Sequence, residues 1–450
     1  MVIIDHHRCA YCGGCVNVCP VEALTLAETH LEVNEECIDC GDCVIACPVG
    51  ALSASETDYL TQKPQFKSEY DLVVVGAGPG GSTAAEIAAQ AGLSVLLLEK
   101  RQEIGSPVRC AEGVGHDQLV DFFEPDLQWI SAQVNKIEIT THHQGATSTI
   151  RTEGGKGYIL ERRIFDRFLA ERACRAGAAM RVKTAVTGLL IENGQARGVK
   201  IRRADFVCGA GELEVAAKVV IAADGVESQV GRWAGLLPQL PLADTMVCAQ
   251  YLLAGVNIDP TCNYFAIGQE IAPGGYAWVF PKGEGKANVG LGVQADLWEP
   301  IVTRNKSNLE VANRSDTVLG YLNRFIETHP HLERGYPVTL IAGNVPVAPS
   351  PSRLAMDGLM VVGDAARQVD PLTGGGITNA MTAGKLAAEA AVEAISAGDT
   401  SVAFLCRYEE KWNQSIGRKN QRNYRLRTRF SAAQRTDDRF IRAFAIAASS

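Results

Sequence analysis

The sequence predicts a small α+β domain fused to a larger α/β body that also carries an antiparallel-sheet domain. Three observations point there: two cysteine runs of one spacing at the amino end, a Gly-rich loop between a buried strand and a helix start, and a later strand with an aromatic residue at every second position. The expected division gives residues 1–57 to the cysteine domain and 58–69 to a linker. Residues 70–115, 155–235 and 345–400 form the body, 116–154 and 236–344 the antiparallel domain, and 401–450 a helical basic segment.

The first run reads Cys9-x-x-Cys12-x-x-Cys15-x-x-x-Cys19-Pro20, and the second Cys37-x-x-Cys40-x-x-Cys43-x-x-x-Cys47-Pro48. Eight thiolates so spaced supply all the protein ligands of two [4Fe–4S] clusters, the fourth cysteine of each run serving the cluster of the other. Cys19 is then a ligand of the second cluster and Cys47 of the first. Zinc needs only four ligands per ion and does not demand this doubled, crosswise spacing. Domains near this size bury only about 60% of their unfolded surface, so cluster bonds must carry the folding. A repeat is visible as well, because each run is followed by a small apolar hairpin-like stretch, Val21–Leu24 and Val49–Leu52. Over residues 1 to about 56 the pattern resembles bacterial-type ferredoxins.

Within residues 1–56 nine acidic side chains oppose only Arg8, giving −8, the formal charge of the whole 450-residue chain. Such an acidic face suits docking on a basic patch of the body or of an external low-potential donor such as a ferredoxin; plain solvation accounts for it equally well. Near the other end Arg418, Arg422, Arg425, Arg427, Arg435 and Arg439 belong to a basic run. It reads either as a solvated helix face or as a surface for lipid phosphates. No charged-then-apolar leader opens the sequence, and no apolar stretch reaches the ~18 residues of a spanning helix. The Ala-rich stretch Asn379–Ala397 contains Lys385, Glu389 and Glu393 and reads as a packed helix. Thiolates and clusters imply a reducing cytoplasm, with any membrane contact peripheral at its inner face; no nucleic-acid partner is expected.

Asp71-Leu-Val-Val-Val-Gly76-Ala-Gly78-Pro-Gly80-Gly81-Ser82 gives a buried strand, a tight turn and a helix start. Gly76, Gly78 and Gly81 fill the three positions that allow the turn, the approach of backbone to a pyrophosphate, and close helix–strand packing. The pyrophosphate would sit over the positive helix end. A second strand, Ser94–Leu98, ends at Glu99, about twenty residues on, where a carboxylate can accept ribose hydroxyls. Two further buried strands end in turns, Lys218–Ala223 before Asp224-Gly225, and Gly358–Val362 before Gly363-Asp364, which leads on to Gly374-Gly375-Gly376. Asp364 stands where it can hold a ribityl hydroxyl, and the glycines let backbone amides approach a flavin ring. Asp224-Gly225 also reads as an ordinary turn.

Together with Arg162-x-x-Phe165-Asp166, these segments resemble the FAD-binding body of aromatic-hydroxylase-like flavoproteins over about residues 69–400. The resemblance implies FAD, bound by a Rossmann-like domain, and leaves no second fingerprint for a nicotinamide, so the fused ferredoxin-like domain is the simplest reductant.

Tyr276, Trp278 and Phe280 share one face of a strand. That face walls an apolar cavity beside the flavin or is plain sheet core; spacing alone leaves both open. The stretch Pro273-Gly-Gly-Tyr276-Ala-Trp278-Val-Phe280-Pro281 resembles the signature of the geranylgeranyl reductase family, and so does Pro107-Val-Arg109-Cys110-Ala-Glu112-Gly113. The resemblance implies a prenyl channel lined by Tyr276 and Trp278, Cys110 facing the reacting carbon or the ring, and an isoprenoid lipid or prenyl diphosphate as substrate. Cys110 also reads as one of six cysteines outside the runs, a small buried hydrophobe like the rest. In the implied reaction the clusters load FAD one electron at a time, a hydride reaches one alkene carbon and a proton the other. Competing readings are a quinone-linked electron-transfer flavoprotein, a non-enzymatic electron-transfer subunit, and an oxygen-using hydroxylase that conflicts with exposed clusters.

Overall fold

The computed structural model describes residues 1–28, 30–53, 67–203, 212–297 and 317–449. The linker expected around Lys63 and Pro64, and Cys208, lie outside the described residues.

The amino-terminal segment repeats itself in backbone as well as in sequence. Gly13 and Gly41 both take the left-handed conformation, with φ of 71° and 72°, and each opens a short helix, Gly14–Asn17 and Asp42–Ala46. Leu24–Ala27 then pairs antiparallel with His30–Val33, and Leu52–Ser53 with Ile3–Ile4. Val2, Leu24, Leu31, Val44 and Leu52 form the small core between them.

The body is built on an eight-stranded sheet in which Ala179–Arg181, Val95–Leu98, Glu69–Val75, Leu213–Ala222 and Leu359–Val361 run parallel. Gln195–Arg203 and Thr184–Glu192 extend it antiparallel. Strands buried on both faces read as continuous Val, Leu and Ile, as Leu72–Val75 and Leu96–Leu98 do. The Ala-rich segment is the helix Ile377–Ala397, packed on the helix Pro79–Gln90 so closely that a Cβ at Gly384 would stand 2.1 Å from the Gly80 carbonyl oxygen. Among the described residues no helix is long and apolar enough to cross a membrane.

The second sheet also has eight strands, in the order Tyr336–Pro346, Thr245–Ala254, Lys286–Gln294, Tyr276–Pro281, Cys262–Ile267, Ile130–His143, Ala146–Leu160 and Gly113–Gly115. It corrects the expectation of an antiparallel sheet, because Cys262–Ile267 runs parallel to Ile130–His143. Parallel neighbours need a crossover connection, and here the chain passes through the body before it returns. The sheet also takes in Gly113–Gly115 and residues 155–160, which the sequence reading gave to the body. The hairpin pairs Ile130 with Leu160, so a boundary at residue 154 cuts through one strand.

The carboxyl-terminal segment is helical over Arg418–Arg429 and Asp438–Ser449. It is not simply a solvated basic face. Arg427 and Arg435 are buried, and Phe440, Ile441 and Phe444 pack beneath the aromatic strand. Apolar residues at i, i+1 and i+4 give the last helix the inward stripe that draws it in.

Candidate functional site

The two cysteine runs close crosswise. Cys9, Cys12, Cys15 and Cys47 ring one hollow, and Cys37, Cys40, Cys43 and Cys19 ring another. Backbone N–H groups four residues on support the crossing sulfurs in the same way in both halves: Ala23 donates to Cys19 Sγ at 3.2 Å and Ala51 to Cys47 Sγ at 3.1 Å. Burial above all, then neighbouring thiols, pushes the Cys43 thiol up to about 12, so a thiolate there requires the positive charge of a metal centre. Among the described residues no His, Cys, Asp and Glu converge tightly enough for a single ion. Sulfurs spread around a hollow suit a four-iron body with separate corners better than a lone zinc. Lys183 of the body donates to the carbonyls of Ile45 at 2.9 Å and Cys47 at 2.6 Å, so the end of the second run, with its crossing cysteine, rests against the body.

Where the body's first strand meets its helix, a Cβ at Gly76, whose φ is 100°, would stand 2.4 Å from the Ala223 carbonyl oxygen, and one at Gly81 1.9 Å from that of Gly76. Only glycine fits these two places. At Gly78 nothing lies within 4 Å, which leaves room for a pyrophosphate at the start of a helix with Pro79 in its first turn. Glu99 closes the loop: its carboxylate accepts from Ala77 N at 3.0 Å and from Arg101 N at 2.9 Å. Asp224 forms a turn, accepting from Gln229 N at 2.9 Å and Val230 N at 3.1 Å, with Gly225 at φ 78°. Its other carboxylate oxygen is buried without a partner among the described residues.

Farther along the same crevice, Asp364 faces the glycine loop, 3.2 Å from where a Cβ of Gly376 would be. Burial raises its carboxyl above the usual range while Arg162 pulls the other way. Arg162 grips Asp166 with two hydrogen bonds of 2.7 and 2.9 Å. A cradle that excludes Cβ atoms at one end and a glycine-lined opening at the other fit an extended dinucleotide.

That opening is a cavity of about 490 Å³ lined by Cys110, Glu112, Phe265, Phe280, Gly375 and Asn379 among others. Burial pushes the Cys110 thiol up, opposed by Arg162, so at neutral pH it keeps its proton. The Cys110 carbonyl accepts from Gln250 Nε2 at 3.1 Å, and Gln250 Oε1 accepts from the Trp278 indole at 2.7 Å. Glu112, at φ 74°, anchors the loop from the other side. It accepts from Arg162 N at 2.8 Å, Asn288 Nδ2 at 2.6 Å and Lys282 Nζ at 2.8 Å, all nearly sealed from water.

The aromatic strand splits its duties. Phe280 lines this cavity, whereas Tyr276 lines a second one of about 60 Å³ and donates to the Thr373 carbonyl. Trp278, expected in the channel wall, instead turns its indole to Gln250 and positions the Cys110 loop. Gln250, Lys282 and Asn288 escape the sequence reading; the available signals are Gln250 and Asn288, each a polar residue among apolar neighbours inside a strand.

Residues 244–345 match the family described as the geranylgeranyl reductase catalytic domain, residues 71–237 that of FAD dependent oxidoreductases, and residues 1–48 the 4Fe-4S dicluster domain. The digeranylgeranylglycerophospholipid reductase of Methanosarcina acetivorans is 50% identical over 355 residues, covering 78% of this chain and 82% of its own length. That of Methanosphaerula palustris is 46% identical over 368 residues, 81% and 87% of the two chains. Among solved structures, a geranylgeranyl bacteriochlorophyll reductase-like protein of Thermoplasma acidophilum has a TM-score of 0.74 at 40% identity, covering 85% of this chain and 92% of its own. A flavin-dependent brominase, 19% identical with a TM-score of 0.63 over 85% and 93% of the chains, shares the fold alone.

Proposed function

The chain belongs to the geranylgeranyl reductase family of FAD-dependent oxidoreductases, and from that premise we propose that it saturates isolated double bonds in the geranylgeranyl chains of a glycerophospholipid. The observation that carries this reading is the cavity of about 490 Å³ that brings Cys110, Phe265 and Phe280 to the Gly375–Gly376 turn. When bound, the clusters supply electrons singly and FAD passes them on as a hydride to the alkene.

The chain's own residues supply the rest. Gly76, Gly78 and Gly81 with Glu99 hold the adenosine and pyrophosphate end of FAD; Arg162, Asp364, Gly375 and Gly376 receive its ribityl and ring end, and Asp224-Gly225 shapes the crevice between. Phe265 and Phe280 keep water from an alkene that has no carbonyl to share developing charge. Cys110, protonated by virtue of its burial, holds a proton at Sγ beside the reacting carbon. The amino-terminal domain takes a ferredoxin-like fold around clusters ligated crosswise, and an external low-potential donor docks on its acidic face. A peripheral contact with a membrane is supported by Tyr336, Val338 and Leu340, exposed together on an edge strand.

The test is anaerobic incubation of dithionite-reduced protein with digeranylgeranylglycerophospholipid, followed by mass spectrometry for the gain of two hydrogens per double bond. No gain, together with fast reoxidation by a quinone, would replace the reductase with an electron-transfer dehydrogenase. Cys110→Ala is expected to slow alkene reduction about a hundredfold, the lower range for losing a positioned proton donor, with flavin reduction by dithionite unaltered. An undiminished rate would remove Cys110 from the chemistry.

A further inference from the structure

The basic carboxyl-terminal run contains two arginines that the reaction just described does not use. Arg427 and Arg435 are only 4% and 7% exposed. Arg427 is held by the Ala243 carbonyl at 3.2 Å, Gln294 Oε1 at 3.0 Å and the Asp244 carboxylate at 3.5 Å. Among the described residues Arg435 makes no ion pair, Asp296 acting on it only at longer range; it donates to the Gly274 carbonyl, and its Nε is buried with no hydrogen-bond partner among the described residues. Burial first, then the Arg427 cation, drags its guanidinium down to about 9. A buried guanidinium with one carbonyl partner and an idle N–H is costly unless something else completes its shell.

What lies in front of the pair is the second cavity, about 60 Å³, lined by both arginines, Gly275, Cys248, Tyr276 and Phe444. Its size admits a group of a few non-hydrogen atoms, since one water needs only about 10–15 Å³ of such space. Gly374 lines this cavity and the larger one beside Cys110 alike. The two cavities thus lie on either side of one glycine, and a ligand with its anionic group at the arginines would pass that glycine and Tyr276 to reach Cys110.

We propose that Arg427 and Arg435 form an anion subsite that takes the phosphate ester of the prenyl lipid and sets which double bond reaches the Cys110 cavity, an assignment that rests on the reductase reading above. Guanidinium groups bind phosphate oxygens through two parallel hydrogen bonds, and Arg435, on the cavity lining, has one N–H group engaged by a carbonyl, that of Gly274.

The experiment compares, in reduced holoenzyme, digeranylgeranylglyceryl phosphate with phosphate-free digeranylgeranylglycerol. In the wild type the phosphate ester should show a KM roughly 30-fold lower, the least expected for a buried charged hydrogen bond. In Arg435→Gln that ratio should collapse towards one, and Arg435→Lys should restore part of it. Inorganic phosphate should compete with the ester in the wild type and not in Arg435→Gln. Equal KM values for the two lipids in the wild type would overturn the assignment, even if the variants fail to fold. Competition by inorganic phosphate without any preference for the ester would assign the arginines to a free anion and likewise overturn it. Equilibrium binding of the ester to oxidised protein reads the subsite without turnover. Tight binding of ester over alcohol with no hydrogen gained by either would thus sink the reductase reading while leaving the subsite standing.

Discussion

A chain in which Cys9 and Cys47 are both replaced by alanine is expected to keep one intact [4Fe–4S] cluster, whereas the Cys9 and Cys19 double replacement is expected to keep none. The difference follows from the crosswise hollows: Cys9 and Cys47 face the same one, so losing both spares the ring of Cys37, Cys40, Cys43 and Cys19. Cys9 and Cys19 face different ones, and each cluster then lacks a ligand. Iron and acid-labile sulfide analysis should find about four irons per chain in the first variant and almost none in the second. The paramagnetic resonance of the dithionite-reduced protein should simplify in the first and vanish in the second. Both should still be yellow, because the body has a core of its own around the strands Leu72–Val75 and Val219–Ala222, with no need of the amino-terminal segment. The reverse pattern, one cluster surviving loss of Cys9 and Cys19, would mean that each run ligates its own cluster and would sever the proposed circuit from its geometry.

The parts of this molecule that can be read before folding are those whose chemistry lies within one short stretch. The cysteine runs are such a case, because spacing along the chain already encodes the crossing of Cys19 and Cys47. The nucleotide cradle is another: Gly76, Gly78 and Gly81 sit between a strand and a helix whose apolar runs mark them as buried. What cannot be read is pairing between distant segments. The parallel neighbours Ile130–His143 and Cys262–Ile267 are separated by the body's middle segment, and nothing local to either announces the other. Period-two spacing correctly puts Tyr276, Trp278 and Phe280 on one face, yet it cannot tell which ring meets a cavity and which meets Gln250. Composition misleads for Arg427 and Arg435, since arginine is almost never fully buried unless paired. Their neighbours Phe430, Phe440 and Phe444 hold the countervailing signal, an apolar stripe that pulls the basic segment inward.

The same blindness to distant pairing hides the ion pair on which the Cys110 loop depends. Lys282 follows the aromatic strand and Glu112 lies in the loop, and their side chains are 5% and 4% exposed at 2.8 Å separation. Lys282→Met is expected to lower stability by about 3–5 kcal/mol, because it takes away the cation paired with the Glu112 carboxylate and leaves it, in a dry interior, Asn288, the Arg162 amide and only the more distant Arg162 guanidinium. Since Glu112 also fixes the backbone two residues from Cys110, loss of FAD should accompany the fall in the unfolding midpoint. The double variant Lys282→Met with Glu112→Gln should recover part of that loss, because the buried charge is gone and only the half-exposed Glu161 loses its Lys282 partner, while the single amide oxygen keeps one of the two donors, Asn288 Nδ2 or Arg162 N. A double-mutant cycle on the midpoint and on flavin content separates coupling from simple loss of packing. If Lys282→Met melts with the wild type and keeps its flavin, the neutral contacts of Gln250, Asn288 and the Arg162 amide hold the loop, and the buried pair has no part in placing Cys110.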